Sequence, residues 1–278
     1  MDPLRMEDLF GVDRPVIGMV HLPPLPGAPG AGISGAEIRD RMLRDVEALA
    51  AGGRGVDGIL LENFGDAPFH PGPVPAHVVA RMSVLVSEAR RHTDLPLGVN
   101  VLRNDAVGAL SVADAAGARF VRVNVWTGAR VTDQGILEGK AHEVLRLRRA
   151  LGSRVRVFAD VDVKHSAPVT PRPLEEEARE TAGRGRADAL VVTGPATGSP
   201  PEAERILEVR DAVPPTPVVV GSGVTPGAAP ALVRASDGLI VGSALQQEGG
   251  PGRPVEAERV RHLMDGVREA RGEVGSGG

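Results

Sequence analysis

Residues 155–165 read VRVFADVDVKH. As a β-strand, this run sends Val157, Ala159, Val161 and Val163 to one face and Phe158, Asp160, Asp162 and Lys164 to the other. One face is apolar and the other is mostly charged. On an open sheet the charged face would meet water. In a closed barrel whose apolar strand faces pack on an outer ring of helices, the same charges would point into the barrel mouth. The flanking sequence separates the two cases.

Seven more short apolar runs, each bounded by turn residues, accompany it: PVIGMVHL from Pro15, VDGILLEN from Val56, PLGVNVL from Pro96, RFVRVNVW from Arg119, ADALVVTG from Ala187, PVVVGSG from Pro217 and DGLIVGSAL from Asp237. Segments with helical spacing or composition follow them, at 34–51, 76–92, 105–116, 138–151, 174–184, 202–212, 226–235 and 255–270. In the first, Ser34 with Glu37 three residues on has the pattern of a capping box, and Ile38, Met42, Val46 and Leu49 form one stripe. Strand and helix alternate eight times. This predicts an α/β protein with a parallel sheet, specifically a (β/α)8 TIM barrel.

A doubly wound open sheet is the alternative, but its GxGxxG turn should follow the first strand, where His21 is instead followed by LPPLPGAPGAG. Long connections run from strand to helix (23–33, 64–75, 127–137 and 166–173), the end at which barrel active sites lie, whereas helix-to-strand connections such as GARF from Gly117 are short. One domain is expected over residues 1–271, with the tail GEVGSGG, 272–278, disordered.

Hydrophobic residues make up 42% of the chain and aromatic ones only 2%, so Val, Leu, Ala and Ile must build the core. A formal net charge of −4 provides no broad positive field, and nucleic acid is not an expected partner. The absence of cysteine excludes disulfides, thiolate nucleophiles and Cys-ligated zinc. The start, MDPLRMEDLFGVDRP, lacks the pattern of a secretory signal, and no run approaches about 18 uninterrupted apolar residues. A cytoplasmic protein without membrane insertion is expected, and apolar helix faces suggest a homo-oligomer.

Turning the apolar face of every strand outward places Ile17, Met19, His21, Leu60, Glu62, Asn100, Arg122, Asn124, Trp126 and Thr193 inside, with Phe158, Asp160, Asp162 and Lys164 from the fifth strand. His21, Glu62, Asn100, Asn124, Asp162 and Lys164 then cluster at strand ends, with Arg122 and Asp160 one layer deeper. Charges so buried must be paired. The deeper two suggest an internal salt bridge, structural or catalytic. The upper layer suggests a site, with the carboxylates as general acid or base and Lys164 stabilising an oxyanion.

A Schiff-base role for Lys164 would require a lowered pKa, and two carboxylates nearby would oppose that. His21 fits either a hydrogen-bonded core residue or a member of the site. Glu62, Asp160 and Asp162 with His21 are candidate ligands for a divalent metal, although no HxH or HExxH spacing supports it.

Gly221, Ser222 and Gly223 follow the seventh strand, and Gly242 and Ser243 follow the eighth. Glycines let backbone N–H groups approach an anion, a following short helix would add its positive end, and these two loops are the usual phosphate position in such barrels. Thr193-Gly194 and Thr197-Gly198 after the sixth strand are a candidate third wall.

These residues lie in PVIGMVHLPPLPGAPG (15–30), DGILLENFGDAPF (57–69), GVNVLRND (98–105), RVNVWTGARVTDQGILEG (122–139), FADVDVKH (158–165) and VTGPATG (192–198), with GSGVT and VGSAL after them. In these segments, which span nearly the whole chain in order, the sequence resembles the BtpA/SgcQ family. The resemblance implies a phosphate-binding TIM barrel, similar to the ribulose-phosphate-binding barrels. One branch of that family is tied to photosystem I biogenesis and another lies among sugar-uptake genes, and no settled reaction comes with the name.

Three readings of function follow. The first is an enzyme on a small phosphorylated metabolite, by lyase, aldolase or isomerase chemistry. The second is a non-catalytic biogenesis or regulatory protein, and the third a metal-dependent hydrolase.

Overall fold

In a computed structural model, residues 2–194 and 202–272 are described. Eight parallel strands close into a barrel: β1 (Val16–His21), β2 (Gly58–Glu62), β3 (Leu97–Asn100), β4 (Phe120–Val123), β5 (Arg156–Val161), β6 (Ala189–Val192), β7 (Val218–Val220) and β8 (Leu239–Val241). Each strand pairs with its neighbours in sequence, and β8 closes on β1. Around them lie α2 (Gly35–Ala50), α3 (Ala76–His92), α4 (Ala106–Ala116), α5 (Ala141–Ala150), α6 (Leu174–Ala182), α7 (Ala203–Ala212), α8 (Ala229–Ala235) and α9 (Ala257–Arg271), after a short α1 (Met6–Phe10). The capping box is present at α2: Glu37 N–H donates to Ser34 Oγ (3.2 Å), and Ser34 N–H donates to Glu37 Oε2 (2.9 Å). Among the described residues no helix is long and apolar enough to cross a membrane. Thr197, Gly198 and the tail beyond Gly272 lie outside the described residues.

Strand alternation sorts the core into two clusters. Val16, Val20, Ile59, Leu61, Val121, Val123, Val157, Ala159 and Val161 face the helices, while Ile17, Met19, Leu60 and Phe158 face inward. At the N-terminal end of the strands, Met6, Leu9 and Phe10 of α1 plug the interior. Phe10, Phe120 and Phe158, three of the chain's five phenylalanines, stack there with centroids 4.9 to 6.3 Å apart. Gly58 and Gly98 make room for them, since a Cβ at either position would overlap the Phe10 or the Phe120 ring.

Aspartates lying just ahead of β2, β6 and β8 clip each of these strands to the one before. The carboxylates of Asp57, Asp188 and Asp237 accept the N–H of Val16 (2.7 Å), Val157 (2.8 Å) and Val218 (2.8 Å). Their own N–H groups donate to the carbonyls of those same residues. Arginines hold the carboxylates: Arg271 on Asp57, Arg148 and Arg156 on Asp188, and Arg210 on Asp237. A strand start that would leave a donor unpaired is thereby satisfied by a side chain.

The expected loops at 127–137 and 166–173 are partly ordered as strands. Ala129–Thr132, Gly135–Glu138 and Ser166–Pro168 form a three-stranded antiparallel sheet at the mouth, and α5 correspondingly begins only at Ala141. Arg130 and Leu137 are buried on its inner face. Beside it, the Asn104 side chain acts as a strand partner, accepting the Val125 N–H (2.8 Å) and donating to the Val125 carbonyl (2.9 Å).

Candidate functional site

A cavity of about 820 Å³ opens at the C-terminal end of the barrel. Of the residues expected at the site, His21, Glu62, Arg122, Asn124, Lys164, Gly221, Ser222, Gly223, Gly242 and Ser243 line it. Asn100 lies behind Glu62 and donates to its Oε2 (2.6 Å). Thr193 is buried beside Gly221, its Oγ1 without a hydrogen-bond partner.

The floor is a closed ion pair. Arg122 donates from Nε to Asp160 Oδ1 (2.8 Å) and from Nη2 to Oδ2 (2.9 Å), in the bidentate geometry that makes such pairs strong. Asn124 Nδ2 also donates to Asp160 Oδ2 (2.9 Å), which leaves its own Oδ1 buried and unpartnered. Burial works to lower the Arg122 pKa, and Asp160 more than offsets it, so the guanidinium is held above its ordinary range.

On one wall, Glu62 Oε1 lies 3.9 Å from His21 Nε2. Gly252 N–H (3.1 Å) and Gln246 Nε2 (2.9 Å) both reach His21 Nδ1. With Nδ1 accepting, the neutral ring carries its proton on Nε2, facing Glu62. Burial lowers the His21 pKa despite the opposing pull of Glu62, and the ring stacks on Phe64 at 4.4 Å. His21 is thus a hydrogen-bonded buried residue and a wall of the cavity at once.

On the opposite wall Lys164 has a lowered pKa, from burial first and the Arg122 guanidinium next. Asp160 and Glu62 oppose the shift, and Arg103 adds to it. The expected opposition from two carboxylates is present, from Asp160 and Glu62, but desolvation and two guanidiniums outweigh it.

Two further expectations are corrected. Asp162 lies one residue past the end of β5 with φ 48°, a left-handed conformation that turns its carboxylate out of the mouth. There it meets Arg130 (2.7 Å) and Arg205, while its N–H donates to Glu177 (2.9 Å). Trp126 lies three residues beyond β4, packs in the outer cluster, and donates from Nε1 to the Gly185 carbonyl (2.8 Å).

These placements also decide the metal. Asp162 is turned away and Asp160 is taken by Arg122 and Asn124, so Glu62, Asp160, Asp162 and His21 do not converge on one point. Among the described residues no group of three His, Cys, Asp or Glu is placed to hold a metal ion. The donor set does not fit a divalent cation, and no step is drawn through one.

The two Gly-Ser turns meet across one side of the cavity. Gly223 has φ 75°, which favours glycine, and a Cβ at Gly221 would overlap Val191 and press on Arg122. Two 3-10 turns, Ser243–Leu245 and Gln247–Gly249, follow β8, and the short helix α8 follows β7. Unforeseen residues complete the lining: Phe64, Phe69, Arg103, Asp133, Gln134 and Arg259. Arg103 donates to the Lys164 carbonyl (3.1 Å), tying the loop after β3 to the one after β5. Phe64, Phe69, Asp133 and Gln134 lie in the long strand-to-helix connections marked by the sequence, whereas Arg103 sits in the short connection after β3 and Arg259 on α9.

A Synechocystis protein named Photosystem I biogenesis protein BtpA is 43% identical over 260 residues, covering 94% of this chain and 90% of that one. An uncharacterized protein of Thermococcus kodakarensis is also 43% identical, over 258 residues, covering 93% and 97%. Among solved structures, Mycobacterium tuberculosis tryptophan synthase superposes with a TM-score of 0.59 at 17% identity, over 97% of this chain and 98% of that one, a likeness of fold alone. The BtpA family model matches residues 12–269, and the chain belongs to the BtpA family.

Proposed function

We propose that the chain binds a small phosphorylated metabolite in the mouth cavity and acts on it by lyase, aldolase or isomerase chemistry. The observation that carries this is the joining, in one cavity, of two Gly-Ser turns with Arg122, Lys164, Glu62 and His21. The turns and guanidiniums suit a phosphate. Glu62 suits proton abstraction, and the His21 Nε2–H suits donation to a developing oxyanion.

A thermal-shift screen of phosphorylated metabolites tests the binding. A ligand at 100 times its dissociation constant adds about 2.7 kcal/mol, which for a chain of this length raises Tm by roughly 5 °C. No shift with any sugar phosphate removes the reading.

The second reading is a non-catalytic biogenesis or regulatory protein, and the comparisons favour it over turnover. The support is the printed name of a relative 43% identical over 94% of this chain, a far closer likeness than any match of fold alone. Here the cavity would hold a ligand without converting it. Complementation of a deletion strain separates the readings: Glu62→Gln abolishes function if turnover is needed and preserves it if binding suffices.

A further inference from the structure

We propose that Lys164 is an amine nucleophile that captures the carbonyl group of a phosphorylated aldehyde or ketone as a Schiff base. The proposal rests on the reading of the cavity as a small-phosphate site and specifies its substrate class.

Composition supplies the first observation. Of the chain's 32 basic side chains only two, Lys140 and Lys164, are lysines. Arginine serves everywhere else, on the surface, in the aspartate clips and in the buried pair with Asp160. A guanidinium is never deprotonated in a protein and cannot attack a carbonyl, whereas a desolvated lysine can. If the cavity needed only positive charge at position 164, arginine would supply it as it does elsewhere. Lys140 is a surface residue paired with Glu143 (3.2 Å).

The second observation is how the neighbouring carboxylates are engaged. Among the described residues none lies within 4.0 Å of the Lys164 ammonium. Asp162, two residues earlier, is held outside the mouth by Arg130 and Arg205. Asp160 has both oxygens taken by Arg122, one of them also by Asn124, and Glu62 is held by Asn100. Burial and the Arg122 guanidinium then favour the free amine. The buried, unpartnered Oδ1 of Asn124 on the same cavity wall offers an acceptor for the hydroxyl of the first adduct.

The step balances without any redox partner. The Nζ lone pair attacks the carbonyl carbon, the C–O π bond opens, and a proton shift from nitrogen to oxygen gives a neutral carbinolamine. Its hydroxyl takes a proton from solvent water, with the His21 Nε2–H available to hydrogen-bond the departing oxygen, and leaves as water while the nitrogen lone pair forms C=N; the resulting iminium N–H returns its proton to solvent. One amine and one carbonyl give one imine and one water.

The test is borohydride trapping with a panel of phosphorylated aldehydes and ketones, beginning with dihydroxyacetone phosphate, followed by peptide mass spectrometry. Lys164 is expected to carry the reduced adduct several-fold over Lys140, since its buried place in the cavity favours the free amine and holds it beside the bound carbonyl. Lys164→Arg, which keeps the charge, is expected to abolish the adduct. Equal labelling of the two lysines, or no trapping by any compound, overturns the proposal. If the thermal shift survives in that case, the phosphate site stands without the Schiff base, and if it is also absent, both fall.

Discussion

Replacing Asp160 by Asn tests whether the cavity floor is a sealed ion pair. The Asp160 and Arg122 side chains are 1% and 6% exposed, and all three groups bonded to Asp160 are donors. An amide offers one acceptor oxygen where the carboxylate offers two. Asn124 can rotate its unpartnered Oδ1 toward the new NH₂, so the loss falls on Arg122, left buried without a counter-charge. Removing one partner of such a pair costs about 3–5 kcal/mol. With an unfolding entropy of about 2.1 cal/mol/K per residue, Tm falls by roughly 5–9 °C. Differential scanning calorimetry reads this directly. The double variant Arg122→Met/Asp160→Leu, which removes both charges, is expected to recover most of the loss. Asp160→Asn also withdraws the charge that supports the Lys164 ammonium, so the Lys164 pKa falls further. A loss below about 1 kcal/mol, the range of a solvated pair, would refute the reasoning, because Arg122 would then be hydrated from the cavity.

Other outcomes follow from the same geometry. Asp188→Ala removes the acceptor of the Val157 N–H and the partner of Arg148 and Arg156; a buried donor left unsatisfied costs about 1–3 kcal/mol, and faster hydrogen exchange at Val157 should accompany it. The folded-state pKa of His21 is lowered from its ordinary value of 6.5 by burial, so its contribution is complete above about pH 6.5 and is lost as pH falls through the lowered value; His21→Asn, with Oδ1 replacing Nδ1 as acceptor, should flatten the stability profile below pH 6.5. The Lys164 pKa is also lowered, by burial first, but here the penalty on the charged form is full below the folded value and fades as pH rises from there toward about 10.4. Lys164→Met should therefore unfold at a higher temperature than the parent at pH 7, with the two converging in alkali, and a gap that stays constant with pH counts against the assignment.

The barrel was legible in the sequence because its cause is local. Each strand carries an apolar face for the helices, and period-two alternation marks which residues turn inward. That rule placed Glu62, Asn100, Arg122, Asn124 and Asp160, all on a strand or one residue past it. It failed at Trp126, three residues beyond the end of β4, and at Asp162, where a left-handed residue breaks the pleat one position past β5. The left-handed turn at Asp162 follows from Arg130, Arg205 and Glu177, which arrive from three other elements and leave no trace in the run itself. Arg103 and Phe64 lacked any period to mark them. The hairpin across 129–138 was hidden for another reason: a two-stranded ribbon flanked by glycines in a long connection reads as a loop until Ser166–Pro168 supplies its third strand.

The aromatic plug at the foot of the barrel gives the molecule a single door. Phe10, Phe120 and Phe158 leave no passage through the axis, so whatever enters between the Gly-Ser turns and Lys164 must leave by the way it came. Departure of one ligand and arrival of the next compete for the same opening, so an occupied cavity excludes a second molecule by geometry alone.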